Sequence, residues 1–192
     1  MHPEELEFIR SLKSGDAAAF RKLVDDLKDK VYNTCISILR DEADAEDATQ
    51  EVFITVHTSI RNFKGVSSLS TWIYRITTTK ALDLLRKKMR QKRWGKIVRI
   101  VTGKEDKALG GNQSFYHPGV QLENKEKAAQ LFQAISTLNE KQKTAFILHH
   151  TEGLSHKEIS EIMNTTISSV ESLIHRAKQN LKNYLNENYF KD

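Results

Sequence analysis

The stretch from Thr151 to Leu181 restricts this chain more than any other, because it carries the start and stop signals of two short helices joined by a tight turn. Ser155 followed three residues later by Glu158 is a capping box, in which each side chain satisfies a backbone N–H that a helix start leaves unpaired. Leu154 before the cap and Ile159 after it have the spacing of a hydrophobic staple. Asn164, Thr165 and Thr166 then end the first helix, since such residues compete for backbone hydrogen bonds and favour caps and turns. A second helix begins at Thr166 or at Ser168, the latter offering another S-x-x-E box with Glu171. Val170, Ile174, Ala177 and Leu181 follow at helical spacing, which turns Ser168, Ser169, Ser172, His175, Arg176 and Gln179 toward solvent. That small, polar, partly basic face suits a DNA major groove, where hydroxyls and guanidinium groups reach base edges and phosphates. A helical hairpin packed into a bundle would satisfy the same pattern, so the rest of the chain decides.

A chain of 192 residues with 39% hydrophobic content fits one ordinary domain or, better here, two small ones. The formal charge of +5 favours a polyanionic partner, and its distribution carries the information. A single cysteine, Cys35, excludes an intrachain disulfide and a Cys-rich zinc site and fits a reducing cytoplasm. The opening MHPEELEFIR has acids where a signal peptide needs basic and then apolar residues, and no later run is long enough to span a bilayer. A soluble, cytoplasmic protein without membrane insertion is expected, and no residue pattern asks for a cofactor or metal.

Asp16 is a good N-cap, and Phe20, Leu23, Val24, Leu27, Val31, Cys35, Ile38 and Leu39 follow it as the apolar stripe of an amphipathic helix. A polar break at Arg40, Asp41 and Glu42 separates this from a second helix whose buried face holds Ala48, Val52, Val56 and Ile60. Several of its polar residues, Asp44, Asp47, Gln50 and Glu51, share the other side. Such a carboxylate patch on a basic protein suits a basic protein surface rather than DNA. Taken alone, a solvated face with acids placed to complement a helix N-terminus is the simpler account.

A loop from Asn62 to Ser68, containing Phe63, Lys64 and Gly65, leads to a third helix that Ser70 can cap and that buries Ile73, Ile76 and Leu84. Its exposed side is predicted to carry Trp72, Tyr74, Arg75 and Lys80, then Arg86, Lys87, Lys88, Arg90, Lys92 and Arg93. Cations neutralise phosphates, and aromatic faces stack on unpaired bases, so the combination suits opened or single-stranded DNA. Trp72 and one of Phe63 and Tyr74 can equally serve as core.

From Trp94 to Gln121 the periodicity decays, and five of the eight glycines fall at Gly95, Gly103, Gly110, Gly111 and Gly119, beside Pro118. That composition reads as a linker, with Ile97, Ile100 and Val101 able to prolong the preceding helix by a turn or two. Beyond Leu122, Ala128, Leu131, Phe132, Ile135 and Leu138 mark another helix. Asn139 then caps one containing Ala145, Phe146 and Leu148, which stops at Gly153. The expected fold is all-α, with two small helical domains at 10–94 and 122–187 joined by a flexible linker at 95–121.

Two blocks resemble a known family. DAEDATQEVF, FKGVSSLSTWIYRI and ALDLLRKKMRQKR are similar to region two of bacterial sigma factors, and LNEKQKTAFILHHTEGLSHKEISEIM through VESLIHRAKQNL is similar to region four. Their order in a short chain resembles the extracytoplasmic-function (ECF) group of the sigma-70 family. This resemblance implies a non-catalytic subunit that binds core RNA polymerase and promoter DNA, and it allows an anti-sigma factor as a further partner. It implies that Asp44, Asp47, Gln50 and Glu51 dock on the clamp helices of the large polymerase subunit, reversing the simpler account of that patch. Phe63, Lys64, Trp72, Tyr74, Arg75 and Lys80 match the surface that takes the opened minus-10 strand and an extruded base, with Arg86 and Lys87 on phosphates. Thr166, Ser168, Ser169, Ser172 and Arg176 match the readers of the minus-35 duplex. Three departures stand out: Thr79 where an asparagine is usual, Glu171 and Leu173 where basic residues are common, and Asn164 for a turn glycine that asparagine can mimic.

Two other functions fit parts of the sequence. A stand-alone helix-turn-helix regulator would bind duplex DNA tightly without polymerase. A metal-dependent nuclease built on His149, His150 and His156 is disfavoured, because adjacent histidines on a helix diverge by about 100° and no H-x-x-x-H spacing is present.

Overall fold

The computed structural model describes the backbone of residues 3–102 and 125–189 and the side chains of residues 4–91 and 130–189. Among these residues the chain forms α-helices and one 3-10 turn. In order they are α1 (Pro3–Ser14), α2 (Ala17–Leu39), α3 (Glu42–Ser59), the 3-10 turn Ile60–Asn62, α4 (Leu69–Thr102), α5 (Lys125–Thr137), α6 (Glu140–His150), α7 (His156–Met163) and α8 (Ile167–Tyr189).

Helix α1 was not anticipated, although its signals are present. Pro3 occupies the first turn, where its missing N–H is no loss, and Glu4 and Glu5 complement the positive end of the helix. Ile9 and Leu12 are buried by the packing of α1 on its neighbours. Asp16 then caps α2 by accepting from the N–H groups of Ala18 and Ala19. The polar break becomes two caps in succession. Arg40 ends α2 in the left-handed conformation with its N–H on the Ile36 carbonyl at 2.8 Å, and Asp41 starts α3 by accepting from the Asp44 N–H.

The periodic positions Ala48, Val52, Val56 and Ile60 are buried as the spacing predicts, against Ile36, Ile38 and Cys35 of α2 and Ile73 of α4. Burial pushes the Cys35 thiol up to about 12, as befits an inert core residue. Ser68, rather than Ser70, caps α4, accepting from the Thr71 N–H at 3.1 Å while its carbonyl takes the Trp72 N–H. Ser70 therefore already lies inside the first turn. Helix α4 runs on to Thr102, so the expected boundary at residue 94 falls inside a continuous helix that includes Ile97, Ile100 and Val101. Most of the expected linker lies outside the described residues.

In the C-terminal half, Ala134, Ile135 and Leu138 pack with Ala177 and Leu181, while Leu148, Ile159, Ile162, Val170 and Ile174 form a second small core. Leu131, one of the residues that mark this helix in the sequence, is 40% exposed, and Ala134 takes the inward position. The two halves are packed together. Ile147 of α6 is buried among α1–α4, and Tyr74 of α4 is buried among α6–α8.

Candidate nucleic-acid interface

The helix-turn-helix is built by the local rules its sequence displays. Ser155 N–H donates to Glu158 Oε2 at 2.9 Å and Glu158 N–H donates to Ser155 Oγ at 3.3 Å, completing the capping box. The Ser155 hydroxyl, donating to the same Oε2 at 2.7 Å, and after it the Ser155 N–H hold the Glu158 carboxyl below its usual range. Asn164 closes α7 at φ 49°, the left-handed position that asparagine tolerates better than most residues. Thr166 proves to be the cap of α8, since its Oγ1 accepts from the Ser169 N–H at 3.1 Å. Val170, Ile174, Ala177 and Leu181 face inward, leaving Thr166, Ser168, Ser172, His175, Arg176 and Gln179 exposed and Ser169 half-buried. Glu171 lies 3.6 Å from His156 Nδ1. Ile167, absent from the sequence reading, is 45% exposed at the start of the same helix although its place three residues before Val170 has the spacing of the buried stripe.

The three histidines are absorbed by packing. His149 Nδ1 lies 3.0 Å from the Leu154 carbonyl oxygen, and the His149 and His156 rings are 4.9 Å apart. Among the described residues no set of three His, Cys, Asp or Glu side chains is arranged to hold a metal ion.

The acidic face of α3 divides in two. Asp44 is half-buried under Lys88 of α4, and Glu51 lies 3.6 Å from Lys80. Asp47 and Gln50 turn outward, beside Ile54, which is 56% exposed. Ile54 lies outside the face that the sequence reading describes.

On α4 and the loop before it the core alternative holds for both Phe63 and Tyr74, which corrects the expected exposure of Tyr74. Phe63 is 3% exposed and Tyr74 6%, while Trp72 is half-buried with its ring 5.2 Å from that of Phe63. Phe63 closes the apolar space over α4, and Lys13 Nζ donates to its carbonyl at 2.6 Å. Lys64, Arg75, Arg86 and Lys87 are exposed, with Lys80 half-buried. Thr79 turns its hydroxyl back onto the Arg75 carbonyl at 2.8 Å.

Several α4 groups are engaged by the other half of the chain. Tyr74 OH donates to Glu152 Oε2 at 3.1 Å, Arg86 forks onto Glu140 with one arm at 3.0 Å, and Arg75 donates to the Glu161 carbonyl. Burial raises both the Tyr74 hydroxyl, with Glu152 adding to it, and the Glu152 carboxyl. Between α2 and α6, Lys143 donates to the Ile38 carbonyl at 2.7 Å, and burial, helped by the Arg40 charge, pushes its ammonium down to about 8.

A helix-turn-helix at one end and a long basic helix at the other define a two-part, all-helical DNA-binding protein. Residues 23–91 match the family model for Sigma-70 region 2, and residues 128–181 match that for Sigma-70, region 4. The chain is 34% identical over 183 residues to the ECF RNA polymerase sigma factor SigW of Bacillus subtilis (strain 168), covering 93% of this chain and 95% of that protein. It is 28% identical to the RNA polymerase sigma-H factor of Pseudomonas aeruginosa, covering 92% and 91% of the two. Among solved structures, CnrH in complex with the cytosolic domain of CnrY superposes with a TM-score of 0.70 at 18% identity, over 96% of this chain and 98% of that one. RpoE of Bartonella quintana, in complex with the anti-sigma factor NepR, gives 0.63 at 21% identity, over 88% and 98%.

The chain belongs to the ECF RNA polymerase sigma factors. It therefore directs core RNA polymerase to promoter DNA and leaves the bond-forming chemistry to the polymerase, which sets aside the stand-alone regulator. No helix among the described residues is long and apolar enough to cross a membrane.

Proposed function

We infer that this sigma factor divides its work among three faces. The outer side of α3, with Asp47, Gln50 and Glu51 around Ile54 and with Asp44 at its edge, docks on the clamp helices of the large polymerase subunit. The α3–α4 loop and α4 take the opened minus-10 strand, with Lys64, Arg75, Lys80, Arg86 and Lys87 on the backbone and Phe63, Trp72 and Tyr74 shaping the site for an extruded base. The N-terminal turns of α8 read the minus-35 duplex through Thr166, Ser168, Ser169, Ser172 and Arg176, and Ile167 adds an apolar contact of the kind a thymine methyl accepts. The observation that carries this reading is the exposure of Ser168, Ser172 and Arg176 on one side of a helix whose other side is sealed into the core. An anti-sigma factor, as in the RpoE complex, is a further partner. Residues 10–94 and 122–187 serve as the two functional domains, and residues 95–121 as the connection between them.

Replacing Arg176 by Ala should weaken binding of the reconstituted holoenzyme to minus-35 duplex by about 1–3 kcal/mol if the guanidinium reads a base. Competition with a panel of single-base variants checks it. A loss confined to one base position identifies direct reading, an equal loss on all sequences identifies a phosphate contact, and no loss removes Arg176 from the interface.

A further inference from the structure

We propose that Lys13 is a positioning residue for base selection, holding the α3–α4 loop in the shape that receives the opened minus-10 strand. The inference rests on the reading of that loop as the place where an extruded base is taken.

The loop leaves the 3-10 turn at Phe63 and enters α4 at Ser68, and both ends are tied down. Phe63 N–H donates to the Ile60 carbonyl at 3.0 Å, and the Phe63 ring is buried beside Trp72. Ser68 caps α4 through its hydroxyl and its carbonyl. Between these ends Lys64, Gly65 and Val66 are exposed, Val66 by 90%, and Gly65 takes a φ of 70°. Exposed residues gain no path from core packing. Theirs is set by the direction in which the chain departs from Phe63, which is the orientation of the planar Phe63–Lys64 peptide.

Lys13 holds that peptide. Its Nζ donates to the Phe63 carbonyl at 2.6 Å, a charge-assisted bond of the stronger kind, and stands 6.0 Å from the centre of the Phe63 ring. One half-buried ammonium thus grips both the peptide and the ring of the loop's first residue. The ammonium is itself seated from behind. Ile9 and Leu12 bury the inner side of α1, and the Ser11 and Leu12 carbonyls accept from the Asp16 and Gly15 N–H groups at 3.1 Å, closing the helix end beside Lys13. Glu5, earlier on α1, lines with Gly65, Val66, Ser67 and Ser68 a cavity of about 420 Å³, so α1 follows the loop along its length. The match to the Sigma-70 region 2 model begins at residue 23, and this brace lies outside it. Without the donor the peptide can turn, which alters the base that fits more than the hold on the strand's phosphates.

The test compares holoenzymes reconstituted from core RNA polymerase with wild type, Lys13→Met, Lys13→Arg or Val66→Glu. Methionine fills similar space without a donor, arginine keeps both cation and donor, and Ile9 and Leu12 seat α1 in every variant. Fluorescence anisotropy reads binding to fluorescein-labelled promoter fragments with pre-opened minus-10 DNA, one base substituted at a time. Lys13→Met should lose roughly fivefold or more of the discrimination at the most selective minus-10 position, and Lys13→Arg should restore most of it. Wild-type discrimination in Lys13→Met overturns the inference. So does an equal loss on every sequence, which marks a direct phosphate contact, or a loss that arginine does not restore. The reading of the loop is judged separately by Val66→Glu, whose carboxylate at the exposed tip should weaken binding of all the opened fragments. Unaffected binding there refutes the loop reading, whereas weakened binding with discrimination kept in Lys13→Met refutes the role of Lys13 alone.

Discussion

Arginine at both Asp47 and Glu51 should abolish association with core RNA polymerase while leaving the helical fold intact. Both side chains are exposed, and the one ion pair disturbed, Glu51 with Lys80 at 3.6 Å, is a surface pair of the kind that contributes little to stability. Across an interface the same reversal sets like charges against each other, which costs several kcal/mol, and about 3 kcal/mol already means a roughly hundredfold loss. Titration of labelled core enzyme measures it, with circular dichroism as the check on folding. Affinity equal to wild type would remove the α3 face from the polymerase interface.

The second large effect should come from Ile159→Ala. Helix α7 spans only the residues His156–Met163, too short to persist by helix propensity, so it is held by its cap and by packing. Ile159 is fully buried, clustered with Leu148, Ile162 and Val170, and is the apolar partner of Leu154 across the cap. Truncation to Ala at such a site costs about 2–5 kcal/mol, a large share of what a small helical domain has. Urea unfolding should show a destabilised C-terminal transition, and minus-35 duplex binding should fall while core binding through α3 persists. Equal loss of both functions would show that the two halves do not act through separate faces.

Much of this was legible because the helix ends are spelled out locally. Asp16, Asp41, Asn139 and the Ser155–Glu158 box are caps whose chemistry depends on a few neighbouring residues, and the stripe Val170, Ile174, Ala177, Leu181 depends only on helical period. What stayed hidden depends on tertiary contacts. Tyr74 reads as an exposed aromatic on α4 because nothing near it in the chain signals that Glu152 and the α6–α8 core will cover it. Asp44 and Asp47 look equivalent on a helical wheel, yet only Asp44 lies under a lysine of α4. Ile54 and Leu131 sit at spacings that permit either face, and packing decided against burial. Helix α1 was the avoidable omission, since Pro3, Glu4 and Glu5 announce a helix start.

Transcription by holoenzyme reconstituted from core RNA polymerase and this chain, on a genomic DNA library with mapped start sites, tests the central claim most directly. The account predicts starts that depend on the added chain and share two upstream elements at constant spacing, read by α8 and by α4. Starts identical with and without the chain, or tight sequence-specific duplex binding that needs no polymerase and yields no transcripts, would contradict it.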